Sequence, residues 1–246
     1  MTLLTRRALL ATPLLMTACA HTASAPRQES ISLALPGLPK PLRAWLQLPR
    51  GYDDDSRVWP LVVFLHGSGE RGDDLERVKL HGPPKQASAG RELPFILCAP
   101  QLDASADPDA PWDVVTLHAL LPALRAHWRI DPARTSATGL SLGGDGVWHW
   151  AAAHPDDLAA IAPVCGHGDP ARVCNARQVP VRAYHGSADT EVPLVAHQAC
   201  VDALRACGGH VNFTVYPGVG HDAWTPAYED PALLPWLTAQ RGGAKS

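Results

Sequence analysis

The stretch "TSATGLSLGGDGVW", residues 135–148, decides how the rest of the chain is interpreted. A short predicted strand leads to Ser141, and the residues after the serine open a predicted helix. Gly139 and Gly143 stand two positions to either side of the serine, where small residues leave room for a sharp strand-to-helix turn. Such a turn presents the serine hydroxyl at its tip. Ser141 is therefore a candidate nucleophile rather than one more polar residue in a glycine-rich loop.

Short apolar runs alternate with longer amphipathic runs on both sides of this turn. The runs at 61–67 and 95–101 predict strands buried on both faces, whereas residues 114–128 and 194–209 carry helical spacing. This alternation predicts an α/β fold with a mostly parallel central sheet and helices on both faces. In such a sheet, functional groups lie in the loops that follow the C-terminal ends of the strands.

A serine hydroxyl needs a base within hydrogen-bond reach, and two histidines are candidates for that role. His221 lies in "YPGVGHDAW", the loop directly after the last predicted strand, and His185 lies at the end of the strand "VRAYHG". We favour His221, because its loop position and its order in the chain both fit.

The base in turn needs a carboxylate that fixes its tautomer and stabilises the imidazolium. Asp189, in "HGSADTEVP", lies in the turn after its strand and completes the order Ser, Asp, His. Glu191 is the nearest rival. Asp145 lies on the helix after Ser141 and is expected to be too near the serine, and Asp222 adjoins the histidine in sequence.

An oxyanion hole requires two backbone N–H groups aimed at the developing negative charge. Leu142, directly after the candidate nucleophile, is expected to supply one donor. The loop "HGSGERG" at 66–72 is expected to supply the other, from Ser68 or its neighbour.

Several segments together resemble one known family. The segments are "LHGSGERGDD", "APQ", "TGLSLGGDGVWHWAAAHPDDLAAIAPVCGHGDP", "VPVRAYHGSADTEVP" and "FTVYPGVGHDAWTPAY". They are similar to bacterial carboxylesterases of the α/β-hydrolase superfamily, often labelled predicted peptidases, phospholipase/carboxylesterases or dienelactone-hydrolase-like proteins. The resemblance extends over roughly residues 40–240. It implies the α/β-hydrolase fold. It also implies a catalytic triad of Ser141, Asp189 and His221, with Ser68 and Leu142 as oxyanion donors.

The resemblance also bears on the substrate pocket. It implies that Gln101 and Trp112 line the acyl or leaving-group side. Asp145 departs from the family pattern, in which an aromatic residue usually follows the paired glycines, and this affects the expected pocket shape. Few residues remain for a lid, so we expect a minimal lid or none and an open site.

The first 25 residues have the layout of an export signal, and residues 30–242 are expected to form a single domain. Arg6 and Arg7 precede an apolar run too short to span a bilayer, in a pattern that resembles a twin-arginine signal. "MTAC" resembles a lipobox, which predicts cleavage before a lipid-bearing Cys19. Cleavage after "ASA" at 23–25 is the alternative. We expect a periplasmic or cell-envelope lipoprotein, with a secreted protein as second choice.

Export permits disulfides, and the chain has six cysteines. Cys165 and Cys174 flank a loop and could form one. Cys200 and Cys207 are predicted to share a helix and to lie too far apart. The spacing of cysteines and histidines matches no metal-binding motif, so neither a metal nor a cofactor is predicted.

Composition excludes some partners. The 246 residues carry a net charge of −3 with 18% charged residues, without the basic patch of a nucleic-acid-binding protein. The sequence predicts a serine hydrolase that cleaves small-molecule or polymer-borne carboxylic esters, and contact with a membrane only through a lipid anchor. The alternatives are a serine peptidase of the same fold and a non-catalytic envelope lipoprotein that binds a ligand.

Overall fold

The structure is a computed structural model that describes residues 23–104 and 110–242. The strands are β1 (Arg27–Leu33), β2 (Leu42–Leu48), β3 (Trp59–Leu65), β4 (Ile96–Pro100), β5 (Ile130–Leu140), β6 (Ala160–Val164), β7 (Val181–Gly186) and β8 (Val211–Tyr216). The α-helices are α1 (Gly82–Ser88), α2 (Val114–His127), α3 (Leu142–Ala153), α4 (Leu194–Ala206), α5 (Trp224–Glu229) and α6 (Leu233–Ala239).

The eight strands form one sheet in the order β1-β2-β4-β3-β5-β6-β7-β8. β1 pairs antiparallel with β2, and β2 antiparallel with β4, whereas the other neighbours pair in parallel. The parallel part brings the carboxyl ends of β3, β5, β6, β7 and β8 to the same edge of the sheet. The predicted α/β class with a mostly parallel sheet is confirmed.

Helices cover both faces of the sheet, as expected for strands with continuous apolar runs. Along β3, Leu61, Val63 and Leu65 belong to a core shared with α2, α3 and α4. Val62 and Phe64, which point the other way, belong to a second core shared with α1, α5 and α6. This alternation explains why the whole strand is buried.

Two parts of the fold were not anticipated. The antiparallel edge strand β1 begins before the predicted domain start, at Arg27. Helix α1 has the sequence "GPPKQAS", in which a glycine and two prolines hide the helical pattern. Proline is tolerated there because the first turn of a helix leaves its N–H groups without intrahelical partners. Helix α2 continues through Pro122.

The predicted bridge between Cys165 and Cys174 is wrong. Cys174 instead forms a disulfide with Cys207, with their Cα atoms 5.9 Å apart. Cys165 follows β6 and is a buried free thiol, as are Cys98 and Cys200. Cys174 lies in a short 3-10 turn that packs near the end of α4, where Cys207 is located. The prediction that Cys200 does not pair with Cys207 is confirmed.

Cys19 and the predicted cleavage site before it lie outside the described residues. Within residues 23–104 and 110–242, none of the helices combines the length and apolar character needed to cross a membrane.

Candidate active site

Ser141 occupies the turn between β5 and α3. Its backbone has φ 51° and ψ −123°, a conformation that few residues other than glycine adopt. The Ser141 N–H donates a hydrogen bond to the carbonyl of Val164, 3.0 Å away at the end of β6. The strained residue is thus anchored to the neighbouring strand, and strain of this kind is common at functional sites.

The two flanking glycines are required by crowding of the backbone. A β-carbon placed on Gly143 would lie 2.0 Å from the carbonyl oxygen of Leu65. One placed on Gly139 would lie 2.5 Å from the carbonyl oxygen of Gly143. The spacing of glycines around the serine therefore has a steric cause: β3, β5 and the start of α3 approach too closely for side chains.

The structure brings Ser141, His221 and Asp189 into contact in series. Nε2 of His221 lies 2.9 Å from Oγ of Ser141, and Nδ1 of His221 lies 2.8 Å from Oδ2 of Asp189. Nδ1–H donates to the carboxylate, because an ionised carboxylate can only accept. Nε2 is then left as an acceptor for the serine hydroxyl.

The Asp189 carboxylate is completely buried, and several donors surround it. Oδ1 accepts hydrogen bonds from the backbone N–H groups of Glu191 and Val192, each at 2.9 Å. Burial alone raises the pKa of Asp189, but the hydrogen bonds from His221, Val192 and Glu191 outweigh burial and lower the pKa. The carboxylate therefore stays ionised beside the imidazole.

The rival bases and acids occupy other positions. His185 is completely buried behind Asp189, with Nε2 3.3 Å from Oδ2. Glu191 approaches His221 from the opposite side, 3.8 Å from Nε2, and its side chain is 72% exposed. It therefore does not occupy the orienting position beside Nδ1.

Asp145 and Asp222 each hold a nearby segment of backbone. The Asp145 carboxylate accepts a 2.6 Å hydrogen bond from the N–H of His167, and burial raises the pKa of Asp145 despite this bond. The Asp222 carboxylate accepts from the N–H and hydroxyl of Thr225 in the first turn of α5.

The loop after β3 lies against the Ser141 turn. A β-carbon placed on Gly67 would lie 3.6 Å from Cβ of Ser141. Ser68 begins a 3-10 turn directly after Gly67, and Leu142 begins α3, where the first N–H groups have no intrahelical partner. The two expected oxyanion donors thus lie on adjacent segments, and their role remains a prediction.

His66 fixes the base of this loop. Nδ1 donates a 2.6 Å hydrogen bond to the Gly67 carbonyl, and Nε2 accepts a 3.0 Å bond from the N–H of Leu102. Burial lowers the pKa of His66 to about 4, with nearby arginines acting in the same direction. His66 is therefore neutral, as these two bonds require.

Gln101 and Trp112 support the same loop from below. Gln101 donates to the carbonyls of Glu70 and Asp74, at 2.9 and 2.7 Å, and Trp112 donates to the carbonyl of His66 at 3.2 Å. Both line a cavity of about 390 Å³. The described residues that line this cavity do not include Ser141 or His221. Their polar groups thus hold the loop, and an acyl-binding role remains a prediction.

Sequence reasoning did not identify three neighbours of the site. Trp224 packs edge-on against His221, with ring centroids 5.3 Å apart, and the centroid of the His81 ring also lies 5.3 Å from that of Trp224. Glu70 is buried and places Oε1 3.6 Å from Nε2 of His81. Glu70 belongs to the loop already singled out and Trp224 to the segment "YPGVGHDAW", whereas His81 directly precedes α1 and lies in no motif recognised in the sequence.

A separate cluster has side chains of the metal-binding type. Ligand atoms of His118, His154 and Asp157 lie within 4.8 Å of one another. The Asp157 carboxylate already accepts hydrogen bonds from Trp150 at 2.8 Å and from His118 at 2.9 Å. The two imidazoles stack with centroids 4.3 Å apart. These contacts account for the cluster without an ion.

The chain is similar to known proteins in sequence and in structure. Residues 107–230, half of the chain, match the model of the dienelactone hydrolase family. The predicted esterase NocK of Nocardia uniformis subsp. tsuyamanensis is 34% identical over 147 residues, which are 55% of this chain and 41% of NocK. A predicted carboxymethylenebutenolidase of Methylorubrum extorquens is 29% identical over 137 residues, 50% of this chain and 47% of that protein.

The fold is shared with solved structures. The crystal structure of a thermostable esterase superimposes with a TM-score of 0.73 and 29% identity, covering 87% of this chain and 63% of that one. The chain spans less than half the length of the two curated relatives above. The family match and the common architecture together show that this chain belongs to the dienelactone hydrolase family and has the α/β-hydrolase fold.

Proposed function

We propose that the protein is a serine hydrolase that cleaves carboxylic esters through an acyl-enzyme on Ser141. The observation that carries this proposal is the unbroken series of contacts from Oγ of Ser141 through His221 to Asp189, at 2.9 and 2.8 Å. The esterase names of NocK and of the thermostable esterase support the same reaction class.

The first half of the reaction forms the acyl-enzyme. Oγ of Ser141 attacks the ester carbonyl while its proton moves to Nε2 of His221, and Asp189 stabilises the resulting imidazolium. The oxyanion accepts hydrogen bonds from the N–H groups of Leu142 and Ser68. His221 then donates the proton to the alcohol oxygen as the C–O bond breaks and the alcohol leaves.

The second half repeats these steps with water. His221 takes a proton from a water molecule, whose oxygen attacks the acyl carbon. The second tetrahedral intermediate collapses, the bond to Oγ breaks, and Nε2 returns the proton to Ser141. The carboxylic acid is released and the enzyme is regenerated.

Esters are preferred to amides because an alcohol is a better leaving group than an amine. Ser141 is partly exposed, which suits small or polymer-borne esters that approach from solvent. A peptidase activity at the same site is the main alternative, and a binding protein without catalysis is the other.

A fluorophosphonate probe tests the proposal. We expect stoichiometric labelling of purified protein at Ser141, and loss of labelling and of p-nitrophenyl acetate hydrolysis in Ser141→Ala. Ser187→Ala is a matched control, because Ser187 is exposed and its hydroxyl accepts a hydrogen bond from the backbone N–H of Gly218. A folded wild-type protein that neither reacts with the probe nor hydrolyses any ester would favour the binding protein. Cleavage of peptide anilides in preference to esters would favour the peptidase.

We further propose that the protein is exported as a lipoprotein. The Cys174–Cys207 disulfide supports an oxidising compartment. The mass of the mature protein tests this proposal: a diacylglycerol adduct at Cys19 is expected, and an unmodified N-terminus after residue 25 would instead indicate a secreted protein.

A further inference from the structure

Two buried histidines lie directly behind the candidate catalytic acid. His185 is the penultimate residue of β7 and His197 lies on α4, and both side chains are completely buried. Their Nδ1 atoms are 2.9 Å apart. Trp148, on the helix that follows Ser141, contributes a third polar group, its indole nitrogen, 3.1 Å from Nε2 of His197. The proposed reaction does not account for any of the three.

The hydrogen bonds among these groups can run in only one direction. An indole N–H is a donor only, so Nε2 of His197 must accept. A neutral His197 then carries its proton on Nδ1 and donates to Nδ1 of His185. His185 in turn carries its proton on Nε2.

The end of this chain reaches the carboxylate. Nε2 of His185 lies 2.9 Å from the carbonyl oxygen of Val192 and 3.3 Å from Oδ2 of Asp189. Oδ2 is the same oxygen that accepts from His221. The N–H of His185 therefore faces two acceptors, one of which is the candidate catalytic carboxylate.

We propose that Trp148, His197 and His185 are positioning residues that hold Asp189 through this one-directional chain of hydrogen bonds. The proposal rests on the proposed function, since it concerns how the acid of that site is oriented. If the chain reversed, Nε2 of His185 would present a lone pair to the Val192 carbonyl and to Asp189. Both oxygens would then be repelled, and the turn that carries Asp189 would shift.

The chain requires both imidazoles to be neutral, because each must donate with one nitrogen and accept with the other. Burial lowers the pKa of His185, although the Val192 carbonyl and Asp189 act in the opposite direction. Burial lowers the pKa of His197 further, and His185 and His167 add to that effect. Both rings therefore remain neutral at neutral pH.

Nitrogen-15 NMR of histidine-labelled protein tests the direction of the chain without any substitution. We expect His197 to be protonated at Nδ1 and His185 at Nε2 at pH 7, each in a single tautomer. Trp148→Phe removes the donor that starts the chain and should give mixed tautomers at both rings. A wild-type His185 protonated at Nδ1, or doubly protonated, would overturn the inference.

Matched substitutions at residue 197 test the consequence for the rate. His197→Leu removes the donor to His185, and we expect kcat for p-nitrophenyl acetate to fall about tenfold with little change in KM, the loss expected from one hydrogen bond. His197→Asn keeps an N–H near the position of Nδ1 and should stay within about threefold of the wild type. Phe213→Leu trims a ring that packs on His197 at 4.9 Å without hydrogen-bonding to it, and it controls for packing.

Equal losses in His197→Leu and His197→Asn, with both variants folded by circular dichroism, would contradict the positioning role. If the substitutions unfold the protein, the tautomers of the wild type still decide. A wild-type protein that lacks esterase activity and labelling at Ser141 would contradict the proposed function. An active wild-type protein with the opposite tautomers would contradict only the proposed series of hydrogen bonds from Trp148 to Asp189.

Discussion

Ser141 lies on a turn that is shaped by crowding of the backbone, whereas Asp189 lies on a turn that is shaped by hydrogen bonds to its side chain. Around Ser141 the constraints are a positive φ and two glycines that cannot accept a β-carbon. Around Asp189, N–H groups of Glu191, Val192 and His221 donate to one carboxylate, and Nε2 of His185 lies 3.3 Å from the same carboxylate.

The difference matters for how each half of the site tolerates change. A steric constraint between backbone atoms cannot be relieved by another side chain, so it should fail abruptly. A carboxylate with several donors should lose its orientation in steps, as individual bonds are removed. Substitutions in each half of the site test this contrast.

Replacing the acid should have the largest effect. Asp189→Asn keeps the size of the side chain but can no longer stabilise the imidazolium or fix the tautomer of His221, so we expect kcat to fall about 10⁴-fold. Hydrolysis of p-nitrophenyl acetate measures the loss. Glu191→Gln is the control, because its carboxylate is exposed and lies 3.8 Å from Nε2, and it should change kcat less than about threefold. Similar losses in the two variants would mean that the acid has been misassigned.

Gly143→Ala should destabilise the sterically constrained turn at Ser141. Its β-carbon would lie 2.0 Å from the Leu65 carbonyl oxygen, so β3 and α3 must separate. We expect the free energy of unfolding to fall by about 4 kcal/mol, measured by urea denaturation. Gly69→Ala has no heavy atom within 4 Å of the new carbon and should change stability by less than about 1 kcal/mol. A fully stable Gly143→Ala would show that the turn is not sterically constrained.

The Cys174–Cys207 disulfide lies in neither the Ser141 turn nor the Asp189 turn, so its removal provides a reference for a loss of stability without a loss of activity. Replacing both Cys174 and Cys207 by alanine frees a loop with a sequence separation of 33. The free energy of unfolding should fall by about 3.5 kcal/mol, while kcat is unchanged at temperatures where the protein is folded. Reduced wild-type protein should match the double variant in thermal unfolding. A loss of kcat in the folded variant would connect the bridge to the site after all.

The smallest expected effect is the contribution of His66, in the loop near Ser141, to the pH dependence of the protein's stability. His66 has a pKa of about 4 when folded, against about 6.5 in an unfolded chain. Between these values only the unfolded chain binds the proton, so stability should rise with pH across this window, by up to about 3 kcal/mol, and level off above it. Urea denaturation from pH 4 to 7 measures the slope, which should be shallower in His66→Asn. Parallel slopes in the two proteins would exclude this contribution.

The placement of Ser141, Asp189 and His221 could be predicted because each follows a strand of a parallel sheet. β5, β7 and β8 end at the same edge, so residues far apart in the sequence meet there. The glycine pattern around Ser141 reports a local turn and needs no knowledge of the rest of the fold.

Other features depend on packing that no local pattern records. The partner of Cys174 is set by where a short 3-10 turn meets the end of α4, and the nearer cysteine at 165 lies inside the core instead. The family resemblance indicated Gln101 and Trp112, but it did not reveal that their polar groups donate hydrogen bonds to the loop that follows β3. His185 was considered only as a rival base, because its link to His197 crosses from β7 to α4.

Three buried free thiols among the described residues can report how often the core opens. Cys98, Cys165 and Cys200 lie in the interior, and burial raises the pKa of Cys98 to about 12. Alkylating reagents react with the thiolate, so each position becomes reactive only when the surrounding core separates. Alkylation rates resolved by peptide would then rank how often the core opens at strand β4, after strand β6 and at helix α4, without the introduction of new cysteines.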